Sequence, residues 1–106
     1  MPGPINSLGS QFGLGSLSTA KSLTLPTTPN LWVSHCLINV NTQAVRYTTD
    51  GTAPTATKGI HVAAGGQISF MDPNFDYRSL IRALQIIEET ASATVDVLYF
   101  NSWASV

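Results

Sequence analysis

The side chains that could support catalysis are few and scattered in this chain of 106 residues. Its six carboxylates show no spacing typical of an acid–base pair, and Asp50 and Asp72 lie in turn sequences, where a carboxylate caps backbone groups. Glu88 and Glu89 fall at the end of a predicted strand, and we expect both to be solvated. No phosphate-binding loop and no nucleophile motif is present. The sequence therefore predicts no catalytic residue, no cofactor and no enzyme activity.

The one cysteine and the two histidines are interpreted as structural residues. Cys36 lies within an apolar segment, a position typical of a small buried side chain. With a single cysteine, no disulfide can form within the chain. His35 and His61 have no neighbouring thiol or carboxylate pattern that would complete a metal site. We expect His35 to be a hydrogen-bonded structural residue, and we expect no bound metal.

The composition is unusually neutral. Charged residues make up 10% of the chain and apolar residues 43%, whereas the usual charged share is about 25%. The net charge is −1 and Lys and Arg are not clustered, so we expect no contact with nucleic acid. No apolar run is long enough to span a membrane, and no signal peptide is recognisable. A surface this neutral favours a homo-oligomer or a subunit covered by neighbours over a free monomer.

One stretch, Val45–Gly59, organises the rest of the chain. Val45, Tyr47 and Thr49 alternate with polar residues, the period of a strand with unlike faces. A turn follows in which glycine permits positive φ, proline fixes φ, and an aspartate caps backbone groups. The sequence therefore predicts a rigid β loop whose structural residues are Asp50, Gly51, Pro54 and Gly59.

Seven short segments, separated by turn signals, have strand-like patterns, and they are 20–26, 31–40, 44–49, 59–63, 67–71, 80–88 and 93–100. Within 75–90 the apolar residues fit both helical and strand spacing, and we choose a helical turn at 74–79 before the strand at 80–88. In the last segment Val95, Val97 and Tyr99 point inward, together with Ala93. Together, these short strands and the turns between them predict an all-β fold, a small sandwich or barrel of jelly-roll or immunoglobulin-like type.

Two parts of the chain present large apolar side chains for contact with a partner. Residues 1–19 have the Gly, Ser and Pro content of a linker, yet apolar residues punctuate them. We therefore predict an extended arm at 1–19, held by an adjacent subunit, before a β domain at 20–106. A disordered tail is the alternative. The outward residues of the last strand and a tryptophan near the C-terminus complete the predicted contact set, which is Phe12, Leu14, Leu17, Leu98, Phe100 and Trp103.

The chain resembles small structural proteins of tailed bacteriophages. The similar stretches run from the Val45–Gly59 loop through Val62-Ala63-Ala64-Gly65-Gly66-Gln67-Ile68, and then over Ala91-Ser92-Ala93-Thr94-Val95-Asp96-Val97-Leu98-Tyr99-Phe100. This resemblance implies a virion protein made in the host cytoplasm, most simply a capsid cement or decoration subunit. Its partners would be the major capsid protein or other virion proteins. A tail or head-to-tail connector component is the nearest variant.

A shorter motif is similar to the immunoglobulin-like domain of chitobiase-type glycosidases. It is Tyr47-Thr48-Thr49-Asp50-Gly51-Thr52-Ala53-Pro54-Thr55. The resemblance implies a carbohydrate-associated binding module. A sugar site usually has aromatic side chains in a row, whereas Tyr47, Tyr77 and Tyr99 fall on different predicted elements. The phage resemblance covers more of the chain, and we prefer it.

Overall fold

Two antiparallel β-sheets of four strands each pack face to face. The computed structural model describes residues 5–26 and 32–102. The described elements are, in chain order, β1 (Ile5–Leu14), β2 (Lys21–Ser22), β3 (His35–Val40), β4 (Val45–Thr48), β5 (Ile60–Val62), β6 (Gln67–Phe70), α1 (Arg78–Ala83), β7 (Gln85–Glu88) and β8 (Val95–Ser102). The predicted all-β sandwich is confirmed, and residues 5–26 and 32–102 contain eight strands where about seven were predicted.

The strands pair from the ends of the chain inward. β1 pairs with β8, β2 with β7, β3 with β6, and β4 with β5. The chain is thus one long antiparallel hairpin, and it folds over so that β3 also meets β8 and β4 also meets β7. The resulting sheet orders, β1-β8-β3-β6 and β2-β7-β4-β5, form an eight-stranded jelly roll. They differ from the four- and three-stranded sheets of an immunoglobulin domain.

The core lies between the two sheets and follows the period-2 alternation of the strands. Ile38 and Val97 are directly opposite each other on β3 and β8, and both are fully buried. From the other sheet, Val45 and Ile86 close the core at 0% exposure. The inward direction predicted for alternate residues of the last strand is therefore correct. The buried apolar set is Leu14, Leu17, Val33, Cys36, Ile38, Val40, Val45, Ile68, Ile81, Leu84, Ile86, Ala93, Val95, Val97 and Tyr99.

Residues 5–19 belong to the sandwich, which corrects the prediction of a separate arm over this part of 1–19; residues 1–4 lie outside the described residues. β1 is an edge strand paired with β8, and Leu17 is 0% exposed. The glycines that give this segment the composition of a linker lie in β1, whose pairing with β8 is irregular. The register with β8 shifts between Ser7 and Gly9 and again between Gln11 and Leu14, and Gly13 has a φ of +67°. Such irregularities need glycine, so a bulged edge strand has the composition of a linker.

Residues 74–88 differ from the prediction in their boundaries. The helix is α1, and β7 begins only at Gln85, so the first part of the predicted strand at 80–88 is helical. Ile81 and Leu84 are buried three positions apart, whereas Leu80 is 40% exposed, as helical spacing requires. The side chain of Asp76 accepts a hydrogen bond from the backbone N–H of Arg78 and so marks the start of the helix.

Two predicted strands are shorter in the structure. β2 covers only Lys21–Ser22 of the predicted 20–26, and β3 begins at His35 instead of residue 31. After β2, Leu23 and Leu25 still pack against the core although they form no strand pairing. The apolar pattern therefore predicts correctly that these side chains pack against the core, but the hydrogen-bonded strands are shorter than the pattern indicates.

The inward face of β3 can be tested by substitution. We expect Ile38→Ala to lower the free energy of unfolding by about 2–5 kcal/mol, because it leaves a cavity between the sheets. Leu37→Ala, at the neighbouring half-buried position on the other face, should cost clearly less. Urea denaturation of both variants gives the comparison. Equal losses would mean that the two faces of β3 are buried alike.

Candidate protein-contact face

The strand alternation that builds the core also places large apolar residues on the opposite face of the first sheet. Leu37 and Leu98 lie directly opposite each other on β3 and β8, and both are half-buried. Phe100 lies two residues beyond Leu98 and is half-buried too. Phe12 lies beside them in the bulged part of β1, between Gln11 and Leu14, and is 70% exposed. We call Phe12, Leu37, Leu98 and Phe100 the outer apolar stripe. Large apolar residues grouped on one sheet face are typical of a protein-contact surface.

The predicted contact residues divide into three groups. Phe12, Leu98 and Phe100 belong to the outer apolar stripe. Leu14 and Leu17 instead fill the core of their own chain, at 9% and 0% exposure, and this leaves them no surface for a partner. Trp103 lies outside the described residues. Leu37 was not predicted as a contact residue, although the apolar residues on both faces of its segment were a signal for it.

Polar groups lie beside the stripe on β1, β6 and β8. Ser10 and Ser69 are exposed and flank the Leu98–Leu37 pair on β1 and β6. The Asp96 side chain accepts hydrogen bonds from the backbone N–H of Gly13 at 2.8 Å and from Asn41 Nδ2 at 3.2 Å. Its charge is thus partly balanced within the chain. An apolar centre with a polar, hydrogen-bonded rim is the usual anatomy of a protein–protein interface.

The predicted structural loop forms the tip of the long hairpin, between β4 and β5. Asp50 Oδ1 accepts a hydrogen bond from the backbone N–H of Thr52 at 2.9 Å, so Asp50 caps the turn. Gly51 has a φ of +85° with open space around its Cα, and Pro54 is buried. At Gly59, with a φ of +128°, a Cβ would lie 3.1 Å from Tyr47 O and 3.2 Å from Pro54 Cβ. Gly59 therefore lets the returning chain approach β4 closely.

The two glycines of this loop should differ in their tolerance of a side chain. Gly51→Ala should lower the free energy of unfolding by about 1–2 kcal/mol, the cost of left-handed backbone for a residue with a Cβ. Gly59→Ala should cost at least about 1 kcal/mol more, because its Cβ also meets backbone and proline atoms. Thermal and urea unfolding of both variants measure the difference. A Gly59→Ala protein as stable as Gly51→Ala would contradict the close approach.

An ion-pair cluster lies on the second sheet and was not predicted. Arg46 Nε donates to Glu89 Oε1 at 2.6 Å, and His61 Nδ1 lies 2.8 Å from Glu89 Oε2. Arg46 and His61 are brought together because they are register partners on β4 and β5. The hydrogen bonds from His61 and Arg46 hold the pKa of Glu89 below its ordinary range. The expectation that Glu89 is merely solvated is therefore wrong, since its charge joins three segments of the sheet.

Because the pKa of Glu89 is lowered, its contribution to the stability of the fold should be present at neutral pH and lost in acid. A carboxylate whose folded pKa lies below its unfolded value of about 4.3 stabilises the fold above that value, and the effect is lost as the pH falls through the folded pKa. We expect the melting temperature of the wild type to exceed that of Glu89→Gln near pH 7, and the two to converge as the pH falls through the lowered folded pKa. Glu88→Gln, at a neighbour with no ion pair among the described residues, is the control. An undiminished gap at low pH would contradict the cluster's role.

Cys36 and His35, which were considered as possible catalytic or metal-binding residues, have structural roles. Cys36 is fully buried, and burial raises the pKa of its thiol to about 12, so the reactive thiolate is disfavoured. His35 is also buried: Nε2 donates to Asp72 O at 2.9 Å, which leaves Nδ1 to accept from Ser34 Oγ at 2.7 Å. Across residues 5–26 and 32–102, no group of three or more His, Cys, Asp or Glu side chains converges on a metal-sized site. Neither residue is thus placed for catalysis.

Comparisons with known protein families, curated proteins and solved structures find no match for this chain. No helix in the described part of the chain has the length and hydropathy needed to cross a membrane. The functional interpretation therefore depends on the residues and geometry of the chain, with the outer apolar stripe as its main feature.

Proposed function

We propose that this chain is a non-enzymatic structural subunit of a tailed-phage virion, a capsid cement or decoration protein that binds the major capsid protein. The outer apolar stripe carries the proposal. Phe12 is 70% exposed in the bulged part of β1, and Leu37, Leu98 and Phe100 are half-buried on the outer face of the same sheet. Charged side chains help to keep a protein with exposed apolar surface in solution, and only 10% of the residues in this chain are charged. Covering the stripe with a partner protein would remove this apolar surface from water.

The fold agrees with this proposal by analogy. Jelly rolls occur in viral capsid proteins, although lectins and other proteins use the same architecture. The phage resemblance of the loop and of the last strand points in the same direction. A subunit of a tail or of a head-to-tail connector would use the same face, so this variant differs in its partner and not in its contact residues.

The stripe has the physical means to hold a subunit on a larger surface. Burying a side chain the size of phenylalanine contributes about 1.5–3 kcal/mol relative to its exposed state. Buried aromatic side chains near the centre of an interface often carry most of the binding energy. Phe12, being the most exposed member of the stripe, has the most apolar surface left to bury.

The proposal predicts that a single surface substitution separates folding from capsid binding. Phe12→Ser should fold normally, because its side chain is largely in water, and should weaken binding at least about tenfold. The measurement is co-sedimentation with capsids that lack this protein, next to circular dichroism of the variant alone.

Ile60→Ser is the matched control for this experiment. Ile60 is also a large exposed residue, at 59%, but it lies on the edge strand β5 of the other sheet. Its substitution should leave capsid binding unchanged. Wild-type binding by Phe12→Ser, or equal losses in both variants, would contradict contact through the outer apolar stripe.

A second candidate function has one observation in its favour. An open cavity of about 250 Å³ beside the loop is lined by Tyr47, Thr48, Thr49, Asp50, Gly59 and Ile60. It combines one aromatic ring with hydroxyl groups and a carboxylate, the groups that bind sugars. Chemical-shift changes at these residues on titration with chitin oligosaccharides would support a carbohydrate-binding module over a capsid subunit.

A further inference from the structure

The loop between β4 and β5, residues 49–59, takes its shape from its own polar groups, and we call it the tip loop. Asp50 caps the turn at its start, and the backbone groups of Thr55 and Lys58 exchange two hydrogen bonds, at 2.9 and 3.2 Å. Thr55 Oγ1 also accepts from the backbone N–H of Lys58 at 3.0 Å. These bonds join residues close in sequence, so they shape the loop without fixing its position on the sheet.

The end of the tip loop is tied to the second sheet by Arg46. Its Nη1 donates to Gly59 O at 2.9 Å. The returning chain passes closely over the same side chain, because a Cβ on Gly59 would lie 3.3 Å from Arg46 Cβ. Thr48 and Gln85 also reach the loop from the sheet, but they donate to carbonyl groups in its first part. Arg46 therefore holds the end of the loop that enters β5.

Glu89 fixes the direction of the Arg46 side chain. The guanidinium group is planar and rigid, so a hydrogen bond at Nε determines where Nη1 points. Glu89 Oε1 accepts from Arg46 Nε at 2.6 Å, and Glu89 Oε2 lies 2.8 Å from His61 Nδ1. The backbone N–H of Glu89 donates to Ala44 O at 3.0 Å, which keeps the carboxylate beside β4. Glu89 thus acts on the tip loop through Arg46.

Partial burial makes this ion pair stronger than a fully exposed one. The side chains of Arg46 and Glu89 are 25% and 17% exposed. Fully exposed pairs contribute little, because water and salt screen them and because holding two long side chains in place costs entropy. Here both oxygens of Glu89 are engaged, so the carboxylate is already oriented when it meets Arg46.

We propose that Arg46, Glu89 and His61 form a latch that holds the end of the tip loop on the second sheet. Arg46 binds the loop, and Glu89, oriented by His61, is the positioning residue that directs Arg46 at Gly59. Loss of the Glu89 charge would free the guanidinium group, and the loop would open around Lys58 while the sandwich stays folded. Gly59 also lines the cavity of about 250 Å³ beside the loop, so opening would change the shape of that cavity.

The test is limited cleavage by trypsin under native conditions, which detects segments that open locally. Lys58 in the tip loop and Arg82 in α1 are both exposed, and cleavage after Arg82 reports opening outside the loop. In Glu89→Gln and in Arg46→Gln we expect the ratio of cleavage after Lys58 to cleavage after Arg82 to rise about fivefold, the effect of losing one hydrogen bond. A general loss of stability would raise both rates and leave the ratio unchanged.

Glu88→Gln is the matched control, because Glu88 has no ion pair among the described residues. It should leave the ratio as in the wild type. A wild-type ratio in either Glu89→Gln or Arg46→Gln, or an equal rise in Glu88→Gln, would overturn the latch. The measurement uses neither capsid nor sugar, so its outcome is independent of both proposed functions.

Discussion

The alternation of side chains along β8 is the constraint on which the rest of the structure depends. β8 lies between β1 and β3, and its residues Val95, Val97 and Tyr99 point into the core. The residues between them, Leu98 and Phe100, must then face outward. A register slip of one residue would exchange the two sets. The same pairing therefore fixes both the stability of the sandwich and the composition of its outer face.

Sequence reasoning succeeded where the determining interactions are local. The period of β8 and the turn chemistry around Asp50 and Gly51 are each contained in a few neighbouring residues, and both fold as the sequence indicates. The loop also has a long-range effect, because it closes the β4–β5 hairpin from which the other strand pairs continue outward. An all-β sandwich could thus be predicted, although its strand order could not.

Other features escaped prediction for identifiable physical reasons. An edge strand with bulges uses glycine as freely as a linker does, so composition alone predicts an arm at 1–19 where the structure has β1. The helix at Arg78–Ala83 has apolar residues that satisfy both helical and strand spacing, and only packing decides between them. Glu89 meets Arg46 and His61 across separations of 43 and 28 residues, and no local pattern announces such contacts.

A neutral jelly roll with an apolar outer face is suited to assembly with other subunits. The central claim of the proposed function is that the outer apolar stripe is an interface. The most direct measurement is a cryo-electron microscopy reconstruction of the assembled particle at side-chain resolution. The account predicts that neighbouring chains cover Phe12, Leu98 and Phe100 while Ile60 faces solvent. A particle in which the outer face of the first sheet remains open to water would contradict it.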